Sequence, residues 1–96
     1  MPDPRPLDPE ALKAQAKRLF GHLEGALTSA MVYLGDRLGL YAALAGAGPL
    51  DAPALAARTG LHERWLREWL QQQGAAGLLA YHGDGRFELT PEAAAV

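Results

Sequence analysis

Four side chains close together in this chain have the atoms for acid–base or nucleophilic work: Thr28, Ser29, Tyr33 and Asp36. A hydroxyl becomes a nucleophile when a base sits at hydrogen-bond distance and a third group orients that base. No histidine or cysteine stands near these four in sequence, so no nucleophile–base pair can be drawn from them. The three histidines, His22, His62 and His82, are the other candidates, and metal binding is the chemistry they would suggest. They fall on three separate segments, without the close spacing of a ligand set and without a cysteine to complete one. The reading is therefore no catalytic residue, no cofactor-binding residue and no metal site within these residues.

The composition narrows the class further. Ninety-six residues make one domain with a modest core, and there is no cysteine to staple it. Half the residues are hydrophobic but only 7% are aromatic, and alanine and leucine dominate, which favours closely packed helices. No apolar run approaches the ~20 residues that span a bilayer. The start, with three prolines among polar residues, has neither the basic nor the apolar region of a signal peptide. A cytoplasmic protein without a membrane partner is the expectation.

Residues 1–7 read as a disordered lead-in. Asp8, Pro9 and Glu10 then form a helix start: a capping carboxylate, proline at the first helical position and an acid at the positive end of the dipole. From Leu12 to Leu38 apolar residues recur every three or four positions, a stripe nearly thirty residues long. It is either one helix or two, with Gly21 and Gly25 the place for a break. Gly39 marks a stop, and a short helix over residues 40–45 follows. Residues 8–48 form the helical segment, and residues 49–90 a second unit.

That second unit carries a helix capped by Asp51 over residues 52–59, Gly60 at the left-handed position, and a second helix over residues 63–73. Ala56, Gly60 and Leu66 stand where a helix-turn-helix needs a small crossing residue, a turn glycine and an apolar lock. Trp65 and Trp69, one turn apart, read as core, with an exposed partner surface as the alternative. Strands over residues 78–82 and 86–90 flank Gly83, Asp84 and Gly85. If Leu79 faces Leu89 and Tyr81 faces Phe87, both apolar pairs share one face and the loop has three residues with Gly85 left-handed. Thr90, Pro91 and Glu92 open another helix, and residues 91–96 read as the start of a linker helix into something longer. The fold class is mainly α: a winged helix-turn-helix with an N-terminal helical extension and one small β-hairpin.

Winged helices commonly bind DNA, but the charges here argue otherwise. Between Asp51 and Thr90 four arginines meet five acids, a net of −1. On the would-be recognition helix, Glu63 with Arg67 and Arg64 with Glu68 stand four apart and compensate each other. Phosphate contacts supply most non-specific DNA affinity, so nucleic acid is not the expected partner. A free-standing winged-helix transcription regulator is the alternative.

The runs GLYAAL at 39–44, LAARTGL at 55–61 and ERWLREWL at 63–70, followed by the hairpin and TPEA at 90–93, occur in this order. In this it resembles the N-terminal winged-helix domain of bacterial class I S-adenosylmethionine-dependent methyltransferases. The resemblance runs from about Phe20 to Val96 and departs at His62, where the family commonly has a small polar cap. It implies a dimerisation and substrate-capping domain ahead of a Rossmann-like catalytic domain. S-adenosylmethionine would bind that missing domain, because the glycine-rich loop and its acidic partner are not in these residues. It also implies that Tyr33 and Arg37 face a small-molecule substrate; by spacing alone they are an ordinary surface pair.

So long an apolar stripe is hard to cover in so short a chain. A homodimer using Leu12, Leu19, Leu23, Leu27 and Met31 is the expectation; the alternative is a monomer whose helix folds back on itself. Gly21, Gly25 and Ser29 add a ridge of small residues.

Overall fold

The computed structural model describes residues 3–96. Met1 and Pro2 of the lead-in lie outside the described residues, and residues 3–7 carry no helix or strand. Five helices and one hairpin follow: α1 (Pro9–Arg37), α2 (Leu40–Leu44), α3 (Ala52–Thr59), α4 (Glu63–Ala75), β1 (Ala80–Gly83), β2 (Arg86–Glu88) and α5 (Pro91–Ala94).

The helix starts are where the capping residues place them. Asp8 accepts from the Glu10 amide at 3.0 Å, Asp51 from Ala54 at 2.9 Å and Thr90 from Ala93 at 3.2 Å. Each satisfies an amide that a helix N-terminus leaves without an intrahelical acceptor. α1 runs unbroken through Gly21 and Gly25, so of the two readings of that stretch the single helix is the one observed. Each glycine costs about 1 kcal/mol relative to alanine, too little to interrupt 29 residues with caps at both ends.

The core sits between α2, α3, α4 and the hairpin. Leu40, Leu44, Leu55, Leu66 and Trp69 have no exposed surface, and Leu50, Leu79, Phe87 and Leu89 close around them. Burying side chains of this size stabilises a fold by about 1.5–3 kcal/mol each. α3 and α4 form the helix-turn-helix, with Gly60 at φ +74° in the turn, its amide bonded to the Ala56 carbonyl at 2.8 Å, and Leu66 locked beneath.

The hairpin departs from expectation in two details. Tyr81 does oppose Phe87, but the register shifts between Tyr81 and Gly83, so Gly83 pairs with Arg86. The loop is thus Asp84 and Gly85 alone, both with positive φ (54° and 72°), as the tight primed turns require. The extra residue is taken up as a bulge. Tyr81 stays 60% exposed and lays its ring against buried Phe87 on the same face, centroids 4.9 Å apart. A third extended segment was not anticipated: Leu50 and Phe87 exchange both backbone hydrogen bonds at 2.8 Å, tying the start of the helix-turn-helix to the wing.

α1 does not belong to this compact body along most of its length. The radius of gyration is 17.9 Å, against about 12.5 Å for a compact chain of this size. The long axis measures 58 Å and the other two 26 and 22 Å.

Candidate functional site

α1 presents three faces, two of them packed within the chain from Thr28 onward and one uncovered. The first meets α4. The Trp69 indole N–H donates to the Met31 carbonyl at 2.9 Å, and the Gln72 amide donates to the Thr28 hydroxyl at 2.9 Å. Gly35, the only buried residue of α1, lies under the rings of Trp69 and Tyr41. A Cβ there would meet Trp69 Cζ2 at 2.5 Å and Tyr41 Cε2 at 2.8 Å, so the contact requires glycine.

The second face forms one wall of a groove of about 860 Å³. Ser29, Val32, Tyr33 and Asp36 come from α1, Tyr41 and Ala42 from α2, Leu78 and Leu89 from either side of the hairpin, and Ala93 and Ala94 from α5. The lining is mostly apolar with a few polar groups, the make-up of a small-molecule or helix-binding cleft. A smaller cleft of about 200 Å³ beside the wing has Asp51, Arg67 and Asp84 around it.

Tyr41 joins the first two faces. Its hydroxyl donates to the Oε1 of Gln73, which is fully buried, and the Gln73 amide donates to Gln72 Oε1 at 2.7 Å. Burial, and secondarily the negative charge of Asp36, hold the Tyr41 phenol above the ordinary tyrosine value. It therefore stays protonated and keeps donating.

The third face is bare. Leu12, Leu19, Leu23 and Leu27 are each 54–57% exposed, and Leu34 and Leu38 continue the line. On a helical projection the first four fall within about 40° of Leu23. Met31 is turned from them toward α4 and packs, half-buried, against the core. Gly21 and Gly25 lie on the side of α1 away from the leucines, with nothing within 4 Å of the Cβ position.

The remaining candidates are dispersed. Tyr33 lines the groove and is 63% exposed, and the Arg37 guanidinium stacks over its ring 5.9 Å from the centroid, just outside the lining. Ser29, Tyr33 and Asp36 share the groove, whereas Thr28 is tied to α4. The histidines stay apart: His22 on α1, His62 at the N-cap position of α4 without a side-chain capping bond, and His82 on β1, bonded to Glu88 at 2.8 Å. No cluster able to hold a metal ion exists among the described residues. No helix among them is long and apolar enough to cross a membrane.

The α4 surface is self-compensated: Arg67 contacts Glu63 at 3.1 Å and Arg64 approaches Glu68 at 4.0 Å, all exposed. Trp69 is core, while Trp65 keeps 38% of its surface exposed beside these pairs.

Gln73 and Gly35 escaped the sequence reading. A signal existed for Gln73, since it continues the Leu66, Trp69 and Leu70 face by one turn.

Two helices crossing at a glycine turn, followed by a two-stranded wing, define a winged helix-turn-helix domain. The chain belongs to the Rv2258c-like winged HTH domain family, whose signature matches residues 26–96. No protein of curated function matches it significantly. Among solved structures it is similar to the mitomycin 7-O-methyltransferase MmcR, with 30% identity, a TM-score of 0.80, and coverage of 91% of this chain and 26% of that one. The N,N-8-amino-8-demethyl-D-riboflavin dimethyltransferase RosA from Streptomyces davawensis is 32% identical, with a TM-score of 0.68 over 79% of this chain and 22% of its own. Human N-acetylserotonin methyltransferase, solved in complex with S-adenosylmethionine, is 26% identical, with a TM-score of 0.65 over 95% and 26%. The chain thus spans about a quarter of the length of these methyltransferases.

Proposed function

We propose that these residues are the N-terminal dimerisation and substrate-capping domain of a cytoplasmic S-adenosylmethionine-dependent methyltransferase. The observation that carries this reading is the likeness to three methyltransferases, each matched over about a quarter of its length. The bare leucine stripe and the apolar groove support it: one surface needs a protein partner and the other suits a small molecule.

S-adenosylmethionine itself does not fit this chain. A nucleoside of that kind is held by a glycine-rich turn at a strand end with an acid for the ribose, and the only two strands among the described residues are those of the wing. The role of the domain is architectural. Leu12, Leu19, Leu23 and Leu27 serve the dimer, Met31 being engaged with the core of its own chain, and Tyr33, braced by Arg37, faces the methyl acceptor from the groove wall.

Calorimetric titration of S-adenosylmethionine tests the assignment. The 96-residue chain gives no binding heat, and the full-length protein from the same gene gives a saturable isotherm. Saturable binding to the short chain, or none to the full-length protein, overturns it.

A further inference from the structure

The groove beside α1 is divided lengthwise by chemistry. One side is polar: Ser29, Tyr33 and Asp36 all come from α1. At those positions they fall within about 60° of one another around the helix and span about 10 Å along it. The other side, from α2, α5 and the flanks of the hairpin, is apolar, with Ala42, Leu78, Leu89, Ala93 and Ala94. Tyr41 alone on that side has a polar side-chain atom, and its hydroxyl is turned away to buried Gln73.

The polar side is unengaged. No hydrogen bond or ion pair among the described residues uses the Ser29 hydroxyl, the Tyr33 hydroxyl or the Asp36 carboxylate. Arg37, the nearest cation in sequence, lies over the Tyr33 ring and outside the lining. Asp36 is the only charged side chain that lines the groove. Its charge reaches the Tyr41 phenol, which burial first and this charge second hold above the ordinary value. Glu92, which precedes the lining pair Ala93 and Ala94 on α5, carries the same sign.

We propose that the groove takes an elongated organic amine, its apolar body against the alanines and leucines and its ammonium group on the Asp36 carboxylate. This rests on the substrate-capping reading above and names the class of molecule that the groove admits. A carboxylate only accepts, so it takes a donor and repels an anion, and a cationic donor makes the stronger, charge-assisted bond. Ser29 and Tyr33 both donate and accept, which suits carbonyl or hydroxyl groups further along the same edge. A volume of about 860 Å³ falls in the range of clefts that enclose a drug-sized ligand.

Three naphthalenes substituted at the same ring carbon test this on the 96-residue chain: naphthylmethylamine, naphthalenemethanol and naphthoic acid. Binding is followed by amide NMR shifts at low salt, where exposed charges are least screened. The amine and the alcohol shift Tyr33, Ala42 and Ala93, and the acid binds weakest. The amine binds about threefold to fivefold tighter than the alcohol, the scale of an exposed ion pair. Asp36→Asn abolishes that preference and leaves the affinity for the alcohol as it was, which shows the groove intact. An acid that binds as well as the amine, a preference that survives Asp36→Asn, or no shift in the groove from any of the three overturns the inference. Each of those outcomes leaves S-adenosylmethionine binding by the full-length protein, and with it the methyltransferase reading, untouched. An amine preference in a protein whose full-length form does not bind S-adenosylmethionine retires that reading and keeps the ligand class.

Discussion

The indole of Trp69 holds α1 at a single carbonyl: its N–H reaches the Met31 oxygen at 2.9 Å, while its ring covers Gly35 one turn further on. Those two contacts join residues 34 to 38 positions apart and fix how the long helix leaves the body. The first prediction follows directly. Gly35→Ala forces a methyl group to within 2.5 Å of the indole and costs about 1–3 kcal/mol, as overpacking does. Gly21→Ala meets nothing and gains up to about 1 kcal/mol. Urea unfolding of both variants decides the matter, and equal midpoints would remove the tight contact from the account.

Tyr41→Phe leaves the buried Gln73 oxygen without its donor, at a cost of about 1–3 kcal/mol. The same substitution changes the alkaline limb of stability. A phenol whose folded pKa lies above the ordinary value of 10.0 contributes its stability in full below that value and loses it as pH rises through the folded pKa. The difference in unfolding free energy between the native chain and the variant therefore stays constant below about pH 9 and shrinks above pH 10. A difference that grows in alkali would contradict the assignment.

Leu23→Asp is expected to convert two-chain particles to single chains with far-ultraviolet dichroism unchanged, because Leu23 is 56% exposed and absent from the core. Collapse of helicity together with mass would mean that the stripe holds the monomer together.

Duplex DNA should pass the protein by. The two arginines on the outer face of α4 already have carboxylate partners, and the winged unit carries a net −1. Clear, salt-sensitive retardation in a low-salt gel would return the domain to the regulators.

Asp51→Ala removes the acceptor for the Ala54 amide and should cost about 0.5–2 kcal/mol. Asp51→Asn should recover most of that loss, measured by thermal or urea unfolding.

What could be read from the residues alone was what local chemistry decides. Asp8, Asp51 and Thr90 marked helix starts because a short polar side chain before a proline or alanine run has little else to do. Gly60 and Leu66 marked the turn and its lock. The hairpin loop came out one residue too long because Asp84, a non-glycine residue, accepts positive φ. Leu50 gave no strand signal, since one apolar residue between Pro49 and Asp51 makes no alternating run. The groove was the least legible feature: its walls come from α1, α2, α5 and both sides of the hairpin, and only the fold juxtaposes Ser29, Tyr33 and Asp36 with Leu89 and Ala93.

The continuity of α1 through its two glycines has a mechanical consequence. Leu12 lies about 34 Å along the helix from Gly35, so a tilt of only ~10° at the indole seat swings the tip by ~6 Å, more than the spacing of one helical turn. Small changes in the way two aromatic rings rest on one α-carbon are thereby magnified into large displacements at the far end.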